Sequence, residues 1–299
     1  MSKSYHPRIS IVTVNYRNPA ITVELLRSLH RCPFQDFEII VVENSPLNDP
    51  TELYRKAFLG VRVIISEQNL GFAGGNNLGI KAAKGEFVYF INNDTEVIAE
   101  TFTPLLEVMD QDRRIGAICP KIKYYQDPAR IQFAGFTEVN ALGRNKMMGK
   151  NEIDKGQHDR GVNIPYGHGA AMMVRKDVID EVGLMPEHYF LYYEELDWSV
   201  QIVRAGYYIR YEPKGVIYHK ESMTVGKMSP LKTFYINRNR ILFMRKNMHR
   251  WKALIFYLYY LCIAFPKNLI THTLKQEWEH VRSLVRATAQ GFGRIHLVK

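Results

Sequence analysis

The chain has 299 residues, 46% of them hydrophobic and 23% charged, with three cysteines and a formal net charge of +10. This is the composition of a folded globular protein, which excludes extensive disorder, and the cysteines stand far apart and never in Cys-x-x-Cys spacing, which excludes a zinc-finger or redox-pair framework. The charge is uneven: residues 1–219 carry 25 Lys and Arg against 27 Asp and Glu, whereas residues 220–299 carry 15 against 3.

Met1 to Arg8 is short and polar, and the apolar run after it reaches Asn15 too soon to be a signal-peptide core, so a cytoplasmic location is expected. Apolar runs and helical patterns then alternate. Ile9 to Val14 reads as a strand, Ala20 to His30 as a helix, Phe37 to Val42 as a strand and Thr51 to Phe58 as a helix. Val61 to Ser66 is a third strand, Ala73 to Ala83 a helix and Glu86 to Ile91 a fourth strand. Val- and Ile-rich strands separated by helices predict an α/β fold, with a mostly parallel sheet flanked by helices. Ligands bind such sheets at the carboxyl ends of the strands. Polar clusters stand there: Asn15-Tyr16, Glu43-Asn44-Ser45, Asn69-Leu70-Gly71 and Asn92-Asn93-Asp94. They are expected to meet on one rim.

Pro120 to Pro165, with Gly143, Gly149, Gly156 and Gly161 among polar residues, reads as a loop-rich cover. Ala170 to Arg175 is a strand, Asp177 to Val182 a short helix and Glu194 to Ala205 a helix. Tyr207 to His219 reads as two strands around Pro213-Lys214-Gly215. Phe234 to Asn247 is helical and basic, and Ala253 to Phe265 is an unbroken apolar stretch preceded by Trp251 and containing Tyr257, Tyr259 and Tyr260. That stretch is shorter than the roughly 20 residues that span a bilayer as a helix. It suits either an interfacial helix with basic flanks on an anionic membrane surface or a buried helix. The expected division is a catalytic domain over 1–228 and a helical extension over 229–299.

Asn69 to Asn77 joins a strand to a helix and contains Gly71, Gly74 and Gly75, which either let backbone approach a ligand or make a tight turn. It is neither Gly-x-Gly-x-x-Gly nor a Walker loop. Asp94 stands at the lip of a buried strand, where a carboxylate can hold a cation bridging a diphosphate or merely turn the chain. Glu194, Glu195 and Asp197 crowd the start of one helix, either as complements of its dipole or as catalytic groups, since crowded carboxylates raise one another's pKa. His219 ends a strand, as a satisfied histidine or a metal ligand.

In this order the segments resemble the inverting glycosyltransferases of family two, whose nucleotide-binding α/β fold is called type A. The resemblance runs from about Ile9 to His219. Val12-Thr13-Val14-Asn15-Tyr16 matches the family's opening strand and Val41 to Ser45 its second, with Glu43 where Asp is usual. Asn69 to Asn77 resembles the Asn-x-Gly-Phe segment, and Asn92-Asn93-Asp94 occupies the place of the Asp-x-Asp metal motif without its first Asp. Gly167 to Met173 resembles the Gly-Ala strand beside the donor sugar. Glu194-Glu195 stands where Glu-Asp is usual, and Gln201 replaces a common Arg.

The resemblance implies that Glu195 is the general base, with Glu194 and Asp197 as further catalytic carboxylates. It implies donor contacts from Asn15, Tyr16, Glu43, Asn69, Gly71, Asn76, Asn92, Asn93, Gly169 and Ala170, and a Mg²⁺ or Mn²⁺ ion on Asp94 and His219. Gly149 to Asp159 and Arg238-Asn239 resemble bacterial rhamnosyltransferases of cell-surface glycans, which implies dTDP-rhamnose as donor. The acceptor would be a glycan or lipid-linked saccharide, and the protein would lie on the inner face of the cell membrane. Relatives using UDP-hexoses share these features, and a non-catalytic membrane-surface scaffold is the rival from another class. A nucleotidyltransferase would open with a glycine-rich, Arg-containing loop, which is missing after Val14, and no nucleic-acid recognition motif accompanies the basic tail.

Overall fold

The computed structural model describes residues 6–45, 49–220 and 229–293. The basic residues Lys227, Arg294 and Lys299 lie outside them, and the expected boundary at 228/229 falls at the end of one undescribed stretch.

The first half is four strands with helices between them: β1 (Ile9–Asn15), α1 (Pro19–Arg31), β2 (Phe37–Glu43), α2 (Thr51–Ala57), β3 (Arg62–Ile65), α3 (Gly71–Ala82) and β4 (Phe87–Ile91). Almost every side chain of β1, β2 and β4 is buried, because helices or loops cover both faces, so these strands read as continuous apolar runs. Helix α1 buries Leu25, Leu26 and Leu29 completely. Helix α3 lies flush on β1, because a Cβ at Gly79 would come within 2.2 Å of Val12 Cγ1. The sequence left Gly71, Gly74 and Gly75 as either a ligand approach or a tight turn; Gly75, like Gly79 after the segment, serves helix-on-strand packing, against Val14 and Val12.

Parallel pairing of β1 with β2 sets Ile9 opposite Phe37 and Asn15 opposite Glu43, so two strand-end polar residues become neighbours. The chain continues through β5 (Thr95–Val97), α4 (Thr103–Gln111), β6 (Ile115–Tyr124), β7 (Ile131–Phe133), β8 (Val162–Ile164), β9 (Ala171–Arg175), α5 (Lys176–Val182), α6 (Glu194–Arg204) and β10 (Tyr208–His219). Among the described residues the ten strands form one sheet of order β3-β2-β1-β4-β9-β6-β10-β5, with β7 on β6 and β8 on β10. The sheet is parallel from β3 to β4, and β9 then runs antiparallel to both β4 and β6.

Between Pro120 and Pro165 most residues lie outside strands and helices, as expected of a loop-rich cover, with the end of β6 and the short strands β7 and β8 set within it. One sequence expectation is corrected. Tyr208–His219 is one strand rather than two, with an irregularity between Glu212 and Val216 that absorbs Pro213, which cannot donate to the ladder. Antiparallel pairing of β10 with β5 sets His219 opposite Thr95 and thereby next to Asp94.

The C-terminal part is α7 (Pro230–Asn247), α8 (Arg250–Tyr259), a π-helical turn (Tyr260–Ala264), α9 (Phe265–Leu274) and α10 (Trp278–Phe292). Ile241, Phe243, Phe256 and Tyr260 form a second core with Tyr166, Tyr189 and Leu196, so these helices share a hydrophobic cluster with the segment that carries α6. Arg250 to Leu274 is one helix of 25 residues, longer than the apolar stretch read from sequence. By length and composition it could cross a membrane. One of its faces is held by the second core through Phe256, Tyr260 and Ala264, and the other exposes Trp251, Leu254, Leu258, Leu261 and Ile263.

Candidate active site

The carboxyl ends of β1, β2 and β4 open on a cavity of 670 Å³, bounded on its other sides by the segments before β9 and α6 and by the first turn of α7. Its floor is a hydrogen-bonded strand-end network. Asn15 Nδ2 donates to Glu43 Oε2 at 2.6 Å, Tyr54 donates to the same oxygen at 3.0 Å, and Asn93 Nδ2 donates to Asn15 Oδ1 at 3.0 Å. Burial pushes the Glu43 carboxyl up, against the lowering effect of these donors. Asn44 holds the next turn: its Nδ2 donates to Gly71 O at 2.9 Å, and its Oδ1 accepts from the Leu70 N–H at 3.0 Å. Gly71 has φ +70, and a Cβ there would sit 2.2 Å from Phe190 O, which accepts from the Phe72 N–H at 2.7 Å.

Asp94 and His219 meet on the rim. His219 Nε2 lies 3.0 Å from Asp94 Oδ1, and Nδ1 lies 2.8 Å from Gln132 Oε1. With Nδ1–H donating to Gln132, the Nε2 lone pair faces a carboxylate oxygen, an approach that needs a proton or a cation between them. A carboxylate, an imidazole nitrogen and a fixing partner on the far ring nitrogen are the donor chemistry of a divalent-metal site. Among the described residues no cluster of three or more His, Cys, Asp or Glu is assembled, and Asp94 with His219 is the pair that could contribute to holding a cation here.

Across the cavity, α6 begins with Glu194 and Glu195. Oε2 of each is buried without a hydrogen-bond partner, and both residues line the cavity. Burial pushes both carboxyls up, Glu195 to about 7, and the neighbouring Glu195 charge raises Glu194 further. An Oε2 with no donor satisfying it is free to take a proton from a ligand. Gly169 packs against this group, an added Cβ lying 3.7 Å from the Glu195 carboxyl carbon. His168 stacks on Phe136 at 5.7 Å, and its Nδ1 accepts from the Ala170 N–H at 3.0 Å. Burial holds this ring neutral, with its pKa pushed down to about 3, so Nε2 carries the proton as a donor.

A smaller hollow of 370 Å³ lies beside Asp112, Arg114 and Arg210, with no such cluster; Arg114 is already paired to Asp112.

The family model described as "Glycosyl transferase family 2" matches residues 10–183. The chain belongs to glycosyl transferase family 2. Among curated members, it is 26% identical over 200 residues to the low-salt glycan biosynthesis hexosyltransferase Agl10 of Haloferax volcanii, covering 66% of this chain and 62% of that protein. It is 24% identical over 254 residues to the dTDP-rhamnosyl transferase RfbF of Shigella flexneri, covering 77% and 78%. Two other curated relatives are matched over only 26% and 42% of their own length. The mannosyltransferase PcManGT of Pyrobaculum calidifontis, solved with GDP-Man and Mn²⁺, superposes with a TM-score of 0.58 at 15% identity, covering 98% of this chain and 77% of that one. That likeness shows the fold.

Within this family 2 chain, Tyr16, Asn69, Gly71, Asn92, Asn93, Asp94, Gly169, Ala170, Glu194, Glu195 and His219 all line the cavity. Asn15 and Glu43 lie beneath it in the strand-end network, and Asn76 turns its amide to Phe72 O. Asp197 faces away from the cavity: fully buried, it accepts from Lys246 Nζ at 2.6 Å and from Asn247 and Gln201. The sequence reading missed Gln132, Lys150, His168 and Lys232, all of which line the cavity. His168 adjoins the glycine of the Gly-Ala strand, a signal that was present; Gln132 and Lys150 sit in the segment read as a loop cover and carry none.

Proposed function

We propose that this protein is an inverting glycosyltransferase that moves a sugar from a nucleoside diphosphate to a hydroxyl of a glycan or lipid-linked saccharide, with dTDP-rhamnose as the donor. The observation that carries this reading is that Glu195, whose Oε2 has no hydrogen-bond partner, lines the same cavity as the Asp94–His219 pair. Glu195 takes the acceptor proton as that oxygen attacks the anomeric carbon, the bond to the diphosphate breaks on the opposite side, and the configuration inverts. A Mg²⁺ or Mn²⁺ ion, when bound by Asp94 and His219, neutralises charge on the departing diphosphate. The Asn44-held turn and Tyr16 flank the nucleotide, and Gly169 leaves room for the sugar beside the base. The dTDP-rhamnosyl transferase RfbF supports this donor, and PcManGT, solved with Mn²⁺, supports the metal.

The test is nucleoside diphosphate release from dTDP-rhamnose, UDP-glucose, UDP-N-acetylglucosamine and GDP-mannose, each with Mn²⁺ and an undecaprenyl-linked saccharide acceptor. Acceptor-dependent release from dTDP-rhamnose is expected. Release from another donor alone would replace the sugar assignment, and release from none would remove the transferase reading.

The exposed face of Arg250 to Leu274 suits an anionic membrane surface, placing the protein peripherally on the inner face of the membrane. Trp251 lies at one end among Arg250 and Lys252, and Lys267 and Lys275 flank the apolar face toward the other. Leu254→Glu with Leu258→Glu should reduce sedimentation with phosphatidylglycerol vesicles at low salt by at least about tenfold, since two leucines leave the bilayer boundary and two like charges enter its field. An unchanged melting temperature would show that the helix still docks on the second core. Should the unaltered protein fail to sediment, the membrane assignment is wrong.

A further inference from the structure

The chain leading into Glu194 and Glu195 is held in an unfavourable conformation. Phe190, Tyr192 and Tyr193 have φ of 66°, 67° and 77°. Side-chain-bearing residues avoid this left-handed region, and a stretch with three of them persists only where its surroundings hold it. The holding groups are on α7. Arg238 Nη2 donates to His188 O at 2.6 Å and to Tyr189 O at 2.9 Å. Arg238 Nε donates to Asn239 Oδ1 at 2.8 Å, which turns the Asn239 amide so that Nδ2 faces the carbonyls of Tyr189, Leu191 and Tyr192 at 3.0, 2.8 and 2.8 Å. Asn239 is completely buried, so water cannot take over these contacts.

The same helix grips the other flank. Two turns further along α7, Lys246 and Asn247 both donate to Asp197. Tyr235 stacks on Phe190 with ring centroids 5.1 Å apart, and the Arg238 guanidinium lies 5.0 Å over Tyr235. Phe190 O is also the acceptor for the first turn of α3, so the held segment is tied to the nucleotide-side turn as well. Glu194 and Glu195 thus stand between two anchors from one helix, while their own Oε2 atoms stay unbonded. The carboxylate's aim is set by the backbone before it.

We propose that Arg238 and Asn239 are positioning residues for the transfer reaction, acting through the left-handed segment 190–193 to aim Glu195 at the acceptor hydroxyl. The proposal rests on Glu195 being the base. A misplacement of about 1 Å at a reacting group costs on the order of 10²-fold in rate without a comparable loss of ground-state binding. The effect should therefore fall on kcat, and it should vanish where there is no base left to aim.

The test uses the full-length chain with Arg238→Gln, Arg238→Lys, Asn239→Ala, Glu195→Gln and the double variant Arg238→Gln/Glu195→Gln. Arg238→Gln and Asn239→Ala are expected to lose about 10- to 10²-fold in kcat, with nucleoside diphosphate affinity by calorimetry within about threefold of the unaltered protein. Arg238→Lys, which keeps a cationic donor for His188 O and Tyr189 O, recovers part of the loss. The double variant turns over as slowly as Glu195→Gln alone, because positioning a missing base has no effect. If Asn239→Ala does not fold, the Arg238 series decides. Multiplicative losses in the double variant, unchanged kcat in folded Arg238→Gln, or a loss confined to donor KM would overturn the proposal. Glu195→Gln retaining turnover would overturn the base assignment and this proposal with it. A slow Glu195→Gln beside a fully active Arg238→Gln would leave the base standing and remove only the brace.

Discussion

Glu195→Gln is expected to lower kcat by about 10²- to 10⁴-fold while donor and metal affinities stay close to those of the unaltered protein. The substitution keeps the volume and removes only the proton-accepting oxygen, and that oxygen, Oε2, has no hydrogen-bond partner whose loss would disturb the fold. The pH profile gives an independent readout. Burial raises the Glu195 pKa to about 7, so the carboxylate that acts as base forms only as pH rises through neutrality. The acid limb of kcat should lie there rather than near pH 4 to 5, and Glu195→Gln should flatten it. Stability runs the other way. The folded state binds the Glu195 proton more tightly than the unfolded chain does, so this group's contribution is present below the unfolded carboxylate pKa and lost as pH rises through the folded one. Glu195→Gln should therefore melt higher than the unaltered protein at pH 8. Asp197→Asn should do the opposite, losing stability through the Lys246 and Asn247 contacts. Near-normal turnover in Glu195→Gln, with Glu194→Gln or folded Asp197→Asn inactive, would move the base to another carboxylate while leaving the reaction class intact.

The parallel half of the sheet was legible because its strands are buried on both faces, which writes continuous Val and Ile runs between helical segments. Its strand-end polar clusters were legible for the same reason, since a polar triplet ending such a run has one place to go. The middle of the chain was not. Strands β7 and β8 are three residues each, too short for any period to show, and Pro120 inside β6 and Pro213 inside β10 read as breaks. Pro266 similarly masked the length of the C-terminal helix, where the π-helical turn Tyr260–Ala264 carries the chain into a residue that cannot donate a helical bond. In the site, Asp94 and His219 were brought together only by the family resemblance, because their contact spans 125 residues and depends on the β5–β10 pairing. The Arg238–Asn239 pair was noticed as a resemblance; only the fold shows that its partners are the carbonyls before the base.

Asp94→Ala is expected to abolish the enhancement of nucleoside diphosphate binding by Mn²⁺ and to reduce turnover by at least about 10²-fold. Asp94 is the only carboxylate in the Asn92-Asn93-Asp94 cluster, and Asn93 beside it is committed to Asn15 and Thr22, so no neighbour can replace its charge. His219 alone offers a single neutral nitrogen, too little to hold a hard divalent ion that prefers oxygen donors. Gln132 makes the second half of the argument. It fixes the ring through Nδ1, so Gln132→Leu should leave both ligands in place yet weaken Mn²⁺ binding by about 10- to 10²-fold, the usual cost of losing such an outer partner. Calorimetry of dTDP and UDP with and without Mn²⁺ separates these cases. Unaltered protein should bind the nucleotide more tightly with the metal, Gln132→Leu should need more metal for the same gain, and Asp94→Ala should show one affinity under both conditions. A persistent Mn²⁺ gain in Asp94→Ala would place the cation elsewhere in the cavity and leave the Asp94–His219 contact as a structural ion pair.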